Sequence, residues 1–320
     1  MITMDNKIPV QIKPTIKTKY VYEKLRICNN CHRYTILRED NCTFCGKPGL
    51  LPLREKAAAT VRRTMRNERL AAILITLISI FFGRSFQEMA IGLAGGVILT
   101  GCLWFVQRRL LPRAVSREIA RMFLHDRQRI ADGLIANLDR AVETGKEDKA
   151  RSYEMLREIA ALVHDDTIRS LQIILLQSFV LRKDMELELE PLLQSRFDPD
   201  LARYIGELAK IKRELIKDRT FRYILKYEHE IASLERGEDI LAGVAGAAVR
   251  LKRYVLSYSD FISRYARLLP KERFLRLYRV IATNPNEPWT SLADEVYRIY
   301  NEKYQWDADF QQITPRSISL

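Results

Sequence analysis

Two apolar runs without a charge set the strongest constraint on this chain. "LAAILITLISIFFG" (70–83) and "MAIGLAGGVILTGCLWFVQ" (89–107) are separated only by "RSFQE" (84–88). The second run has 19 residues, enough to cross a bilayer core of about 30 Å. The first has 14, and reaches 17 with residues 84–86 when Arg84 snorkels to the headgroups. Arg62, Arg63, Arg66 and Arg69 precede the pair, and Arg108, Arg109, Arg113 and Arg117 follow it. Positive charge stays on the cytoplasmic side, so a transmembrane helical hairpin over 70–107 is expected, with both termini cytoplasmic and a minimal outside turn. That is a multi-pass protein of a bacterial cytoplasmic (inner) membrane, its lipid bilayer a partner. A buried hairpin of a soluble protein is the competing reading, and arginines on both flanks speak against it. Gly92 and Gly96 form G-x-x-x-G, followed by Thr100. Such spacing lets helices approach closely, within the hairpin or across a homodimer.

Four of the five cysteines, Cys28, Cys31, Cys42 and Cys45, form two C-x-x-C pairs around ten residues. The first apolar run begins near Leu70, too far along for a signal peptide, so metal ligation is expected rather than disulfides. Two knuckles joined by a short hairpin supply the four soft ligands of a tetrahedral Zn2+. "KYVYEKLRIC" and "YTIL" suit short strands, and Gly46 suits the turn of the second knuckle. Residues 20–53 thereby resemble the zinc-ribbon family. The resemblance implies a closed, structural metal site, with His32 a surface residue.

The charge is uneven. The chain carries a net +13, and residues 1–69 hold 15 Lys and Arg against 6 Asp and Glu. A basic N-terminal region suggests an anionic partner, either anionic lipid or nucleic acid. Lys24, Arg26, Arg33, Arg38 and Lys47 are candidate phosphate contacts, with Tyr34 and Phe44 available to stack.

Beyond residue 113 the apolar pattern is helical, as in Ile119, Met122, Phe123 and then Ile130, Leu134, Ile135, Leu138. Breaks are expected at 143–148, at 196–200 with Asp198 as an N-cap, and at 284–288; Pro270 suits a first helical position. A last helix begins at Ser291 and ends near Tyr304. Strand alternation and a glycine-rich phosphate loop are both missing, and Gly243 and Gly246 fit close helix packing. The fold class expected is a small zinc ribbon, a two-helix transmembrane hairpin and an all-α cytoplasmic bundle of six to eight helices. The boundaries follow: a basic tail over 1–19, the ribbon over 20–55, a basic linker over 56–69, the hairpin over 70–107, the all-α domain over 108–305 and a tail over 306–320.

"ALVHDDTIRSL" (161–171) is the one further stretch with chemistry in it. Ile159, Ala160, His164, Asp165, Ser170 and Leu171 resemble the phosphoacceptor helix of sensor histidine kinases, which implies His164 as phosphoacceptor and Asp165 as its proton partner. The ATP-binding domain such a kinase needs is not legible in 205–320. His125, His164, Asp165 and Asp239 also follow the order of ligands in metal-dependent HD phosphohydrolases. Prenyl synthases share the paired Asp165 and Asp166, but Arg169 stands where their motif has a third Asp. The plain reading is a helix junction, with Asp165 or Asp166 capping "TIRSLQIILLQSFVL" and His164 ending the helix before it. The function expected is that of a membrane-anchored, non-enzymatic adaptor or regulator recruiting a cytosolic protein partner. Phosphotransfer through His164, or metal-dependent phosphohydrolysis, is the alternative.

Overall fold

The structure, a computed structural model, describes residues 7–15, 18–289 and 291–311. The chain divides into two units, residues 15–148 with 157–163, and residues 7–14 with 149–156 and 164–311.

In the first unit a three-stranded antiparallel sheet, order β2-β1-β3, is built from β1 (Arg26–Cys28), β2 (Tyr34–Thr35) and β3 (Leu50–Pro52). Ile27 lies across from Tyr34 on one side and Leu51 on the other, a pairing of β-branched and aromatic residues that suits a pleated, half-buried surface. β3 runs straight into α1 (Leu53–Phe81), which is followed by α2 (Phe86–His125) and α3 (Arg127–Thr144). The basic stretch 56–69, expected as a linker, is therefore helical. Its alanines, threonines and arginines are compatible with a helix, and Ala57 and Val61 are drawn into a core with Leu25, Ile27, Tyr34, Leu53, Val115, Ile119 and Ile130. The boundary expected at 107/108 is also absent, since α2 continues through Pro112. Proline removes one backbone N–H there but leaves φ compatible with a helix.

α1 and α2 run antiparallel. Arg69 Nε donates to Gln107 Oε1 at 2.7 Å, Gln107 Nε2 donates to Glu68 at 2.8 Å, and Gly96 stands against Thr76 nearer the tip. A Cβ on Gly96 would lie 2.0 Å from Thr76 Cγ2, and one on Gly92 3.0 Å from Ser79 Oγ. The G-x-x-x-G face is thus occupied by α1 of the same chain. Gly96 is buried there and Gly92 half-buried. Beyond the Arg69–Gln107 layer the outward side chains are apolar and exposed, among them Leu74, Ile75, Phe81, Phe86, Ile91 and Ile98. Among the described residues one helix, α2, is long and apolar enough to cross a membrane by length and composition. α1 falls short, because its apolar run has only 14 residues and its first half carries the arginines. The multi-pass expectation is not supported by that measure.

α3 closes the unit with Ile130, Gly133, Asn137 and Ala141 as its buried face. Ile135, which the apolar period groups with the core, is 59% exposed. The small face wins because β2 comes so close: a Cβ on Gly133 would sit 2.3 Å from the Tyr34 carbonyl oxygen.

The second unit is helical. Its elements are α4 (Lys149–Ala160, the last residues of which belong to the first unit), α5 (Asp166–Gln177), α6 (Pro199–Ile211), α7 (Asp218–Lys226), α8 (Glu228–Ala232), α9 (Gly237–Ala248), α10 (Lys252–Ser257), α11 (Ser259–Tyr265), α12 (Lys271–Ala282), α13 (Ser291–Ile299) and α14 (Ala308–Gln311). There are more helices than the six to eight expected, and many are short. α9 is buried on nearly all sides and packs on α6. Arg273 of α12 ties the pair, donating to the Ala209 carbonyl at 3.0 Å and the Gly243 carbonyl at 3.2 Å; burial lowers its pKa. Gly243 and Gly246 serve helix packing, as their sequence context indicates. Asp198 caps α6, accepting from the amides of Asp200 and Leu201. Pro270 occupies the cap position of α12, one residue before the place expected for it.

Both expected tails take part in packing. In the segment 7–15, Ile8 forms a parallel bridge with Phe179, Ile12 is buried, and Lys7 pairs with Glu207. At the other end α14 seats Phe310, 1% exposed, among Phe274, Tyr278, Tyr300 and Tyr304, while Lys271 pairs with Asp307 and Asp309. Residues 1–6, 16–17 and 312–320 of the two tails lie outside the described residues.

Candidate metal centre

The two C-x-x-C segments adopt the same local structure twice. After Cys31 comes His32 with φ 55°, and after Cys45 comes Gly46 with φ 69°. The His32 amide donates to the Cys28 carbonyl at 3.0 Å, and the Gly46 amide to the Cys42 carbonyl at 2.8 Å. The Cys28 amide reaches the Arg33 carbonyl at 3.0 Å, and the Cys42 amide the Lys47 carbonyl at 2.9 Å. Each knuckle therefore turns back on itself through a left-handed residue directly after its second cysteine. Glycine takes that conformation freely, and histidine is among the residues found there more often than most.

The turns bring the four sulfurs within 4.8 Å of one another. Cys28 Sγ lies 3.7 Å from Cys45 Sγ, and Cys31 Sγ 3.6 Å from Cys42 Sγ. These separations exclude disulfides, whose sulfurs lie about 2.05 Å apart. They match the edge, about 3.8 Å, of a tetrahedron with metal–sulfur bonds of about 2.3 Å. Cys28 and Cys42 are buried, and Cys31 and Cys45 half-buried. Burial pushes the Cys31 thiol up to about 12, whereas the Lys47 amide lowers the Cys45 thiol to about 7. A metal ion bound here displaces the thiol protons, so four thiolates can hold it with all four positions of a tetrahedral site filled by protein.

The metal knuckles belong to a sheet fixed from behind. Asn137 Oδ1 accepts from the Thr35 hydroxyl and the Ile36 amide, both at 2.9 Å, and all three residues are buried. The Tyr34 hydroxyl donates to Asp126 at 2.7 Å, and burial together with that carboxylate raises its pKa. Lys24 pairs with Glu158 at 2.8 Å. Tyr34 is fully buried and the Lys24 side chain 7% exposed, so neither is available to nucleic acid. Arg33 lies over the Phe44 ring at 4.7 Å. Asn137 and Gly133 escaped sequence reasoning. The only signal was a polar and a small residue on one face of an otherwise apolar helix.

His164 and Asp165 have a different setting. Both are exposed, in the turn between α4 and α5. His164 lies four residues beyond the end of α4, not on it, because the helix stops at Ala160. Asp165 is the N-cap of α5, accepting from the Thr167 amide at 2.7 Å and the Ile168 amide at 3.4 Å; the hydroxyl and amide of Thr167 lower its pKa. Asp166 pairs with Arg169 at 2.6 Å. The segment is broken where a phosphoacceptor helix would be continuous. Among the described residues, the cysteine tetrad is the one group of His, Cys, Asp and Glu placed to hold a metal.

Fold and site together define a four-cysteine, zinc-ribbon-like module continuous with a long helical pair. No protein-family model matches the chain, and neither a curated protein nor a solved structure matches it.

Proposed function

We propose that this chain is a membrane-anchored, non-enzymatic adaptor whose metal-ordered ribbon and helical unit recruit a cytosolic protein. The observation that carries the anchor is the apolar outward surface of both helices between the Arg69–Gln107 layer and the polar turn at 84–88, where Ile75 is 61%, Phe81 83% and Ile98 66% exposed. Soluble proteins do not leave a contiguous apolar surface of this kind to water. In a bilayer it faces lipid, and small residues such as Gly92 and Gly96 hold the helices together. The uncharged part of α1, from Leu70 to its end at Phe81, rises about 17 Å, less than the hydrocarbon thickness of about 30 Å, a shortfall that local thinning of the bilayer accommodates. With Arg69 satisfied by Gln107 at the edge of that run, the reading is that the hairpin enters as a pair, and the arginine flanks favour both termini on the cytoplasmic side.

Zinc is the ion proposed for the cysteines, since four thiolates in a tetrahedral set suit it and a closed site gives it a structural role. The ribbon then stands off the membrane. From Leu53 to Arg69, α1 rises about 24 Å, several times the screening length of about 8 Å in physiological salt. Its exposed face, with Arg33 on Phe44, is offered to a cytosolic partner rather than to the leaflet. A second reading, phosphotransfer through His164, draws on an open cleft of about 830 Å³ lined by His164, Asp166, Arg169, Ser170, Gln194 and Arg196.

Affinity capture from membranes in mild detergent separates the readings. The adaptor account expects a stoichiometric protein partner that is lost with Cys42→Ser plus Cys45→Ser and retained with His164→Gln. A partner lost with folded His164→Gln, and kept by the cysteine variant, would reverse the assignment.

A further inference from the structure

We infer that the arginines following the apolar run on α2 form a docking surface for anionic phospholipid headgroups, with Arg108 and Arg109 as its principal contacts. The inference rests on the membrane reading above and adds the lipid class. Three observations converge on it. The first is direction. Cα–Cβ bonds tilt toward the N-terminus of a helix, which on α2 is the apolar tip. Accordingly the Arg108 guanidinium lies back over the Trp104 ring at 5.5 Å, and that of Arg109 over Phe105 at 5.1 Å. Aromatic rings with cations folded onto them mark the edge of an apolar belt, where headgroups begin. On α1 the same tilt carries Arg62, Arg63 and Arg66 away from the tip.

The second is charge. Arg108, Arg109, Arg113 and Arg117 are exposed, and none of the ion pairs among the described residues includes them. Glu118, next to Arg117, is paired with Arg121, and Glu68 on α1 accepts from Gln107. The third is depth. Arg113 lies about 7 Å and Arg117 about 13 Å along the helix from Arg108, against a headgroup layer of about 5–8 Å per leaflet. Arg108 and Arg109 fall inside that layer, Arg113 at its outer edge and Arg117 beyond it.

Trp104 reports directly on this rim. The full chain, carrying Trp306→Phe, is reconstituted in phosphatidylcholine vesicles containing equal mole fractions of either acyl-brominated phosphatidylcholine or acyl-brominated phosphatidylglycerol, and tryptophan emission is read against a Trp104→Phe, Trp306→Phe chain that gives the contribution of the buried Trp289. The expected result is stronger quenching by phosphatidylglycerol, an enrichment on the order of three- to tenfold that declines with salt. Arg108→Gln with Arg109→Gln equalises the two lipids while quenching by brominated phosphatidylcholine, the insertion control, persists. Arg117→Gln leaves the preference in place. Equal quenching in the parent chain, or a preference untouched by the double substitution, overturns the inference while the membrane reading stands. Loss of the preference on adding duplex oligonucleotide assigns the arginines to nucleic acid and also overturns it. Quenching by neither lipid removes the membrane reading itself.

Discussion

The two halves of the α1–α2 pair are opposites. Toward the ribbon, Ala57, Val61, Val115 and Ile119 are buried between the helices and the sheet, while arginines face outward. Toward the tip, leucine, isoleucine and phenylalanine face outward, and glycine, threonine and serine lie between the helices. The change falls within a turn of the polar layer of Glu68, Arg69 and Gln107. The backbone is the same continuous helix on both sides of it. On the membrane reading proposed above, what differs is the solvent that each half is built for, water on one side of the layer and lipid on the other.

If that contrast is right, the halves respond to different perturbations. The largest effect is expected from the metal. Structural zinc in isolated finger peptides contributes apparent free energies of about 10–16 kcal/mol, so Cys42→Ser with Cys45→Ser should take bound metal to near zero and unfold residues 20–52. Metal analysis and hydrogen exchange check this; protection in 70–106 should remain. Acid should do the same reversibly. Each ligand must give up its thiol proton to bind, so metal is retained at neutral and higher pH and released as protons return in acid.

Next in size is a charge placed on each half. Ile98→Lys should cost insertion about 2.5–3.5 kcal/mol and reduce the membrane-bound fraction. Thr64→Lys, exposed on the stalk, should stay within about 0.5 kcal/mol. Equal effects at the two positions would abolish the contrast. A smaller loss is expected where the ribbon meets α3. Asn137→Ala leaves the buried Thr35 hydroxyl and Ile36 amide without their acceptor, at about 1–3 kcal/mol. Thermal unfolding of the solubilised chain reads it. Loss in the ribbon without loss in 70–106 sharpens the picture of two separately stabilised halves.

The smallest effect lies in the helical unit. Asp165→Ala should lower stability measurably through loss of its cap, and His164→Gln, exposed in the turn before α5, should change it little. The Asp165 pKa is lowered on folding, so its contribution is present above the unfolded value of about 3.9 and is lost as pH falls through the folded one. Chemical denaturation at pH 7 and at pH 2 measures it.

Local signals in the sequence were reliable. The C-x-x-C spacing picked out four cysteines that come together and could hold a metal; of the two carboxylates offered as a cap at 165–166 it is Asp165 that caps, and Asp198 caps the next helix. Gly243 and Gly246 indicated close packing, which the structure contains. The failures were non-local. Ile8 pairs with Phe179 and Phe310 enters an aromatic pocket built around Phe274, contacts between residues far apart that no local pattern announces. The continuity of α1 was hidden because its buried face below Arg69 consists of small residues set among many charges. α3 misled in the opposite direction: its apolar period pointed to Ile135, whereas a backbone approach selected Gly133 and Asn137.

The central claim is that the outward surface reverses because the tip crosses a bilayer. Gln87→Cys at the tip and Ser116→Cys on the stalk, each in a Cys102→Ser background, test it with an impermeant maleimide in sealed right-side-out and inside-out vesicles. The parent chain without the added cysteine corrects for the metal-binding thiols. The account predicts that residue 87 is labelled only in right-side-out vesicles and residue 116 only in inside-out ones. Labelling of both from the same face would contradict it.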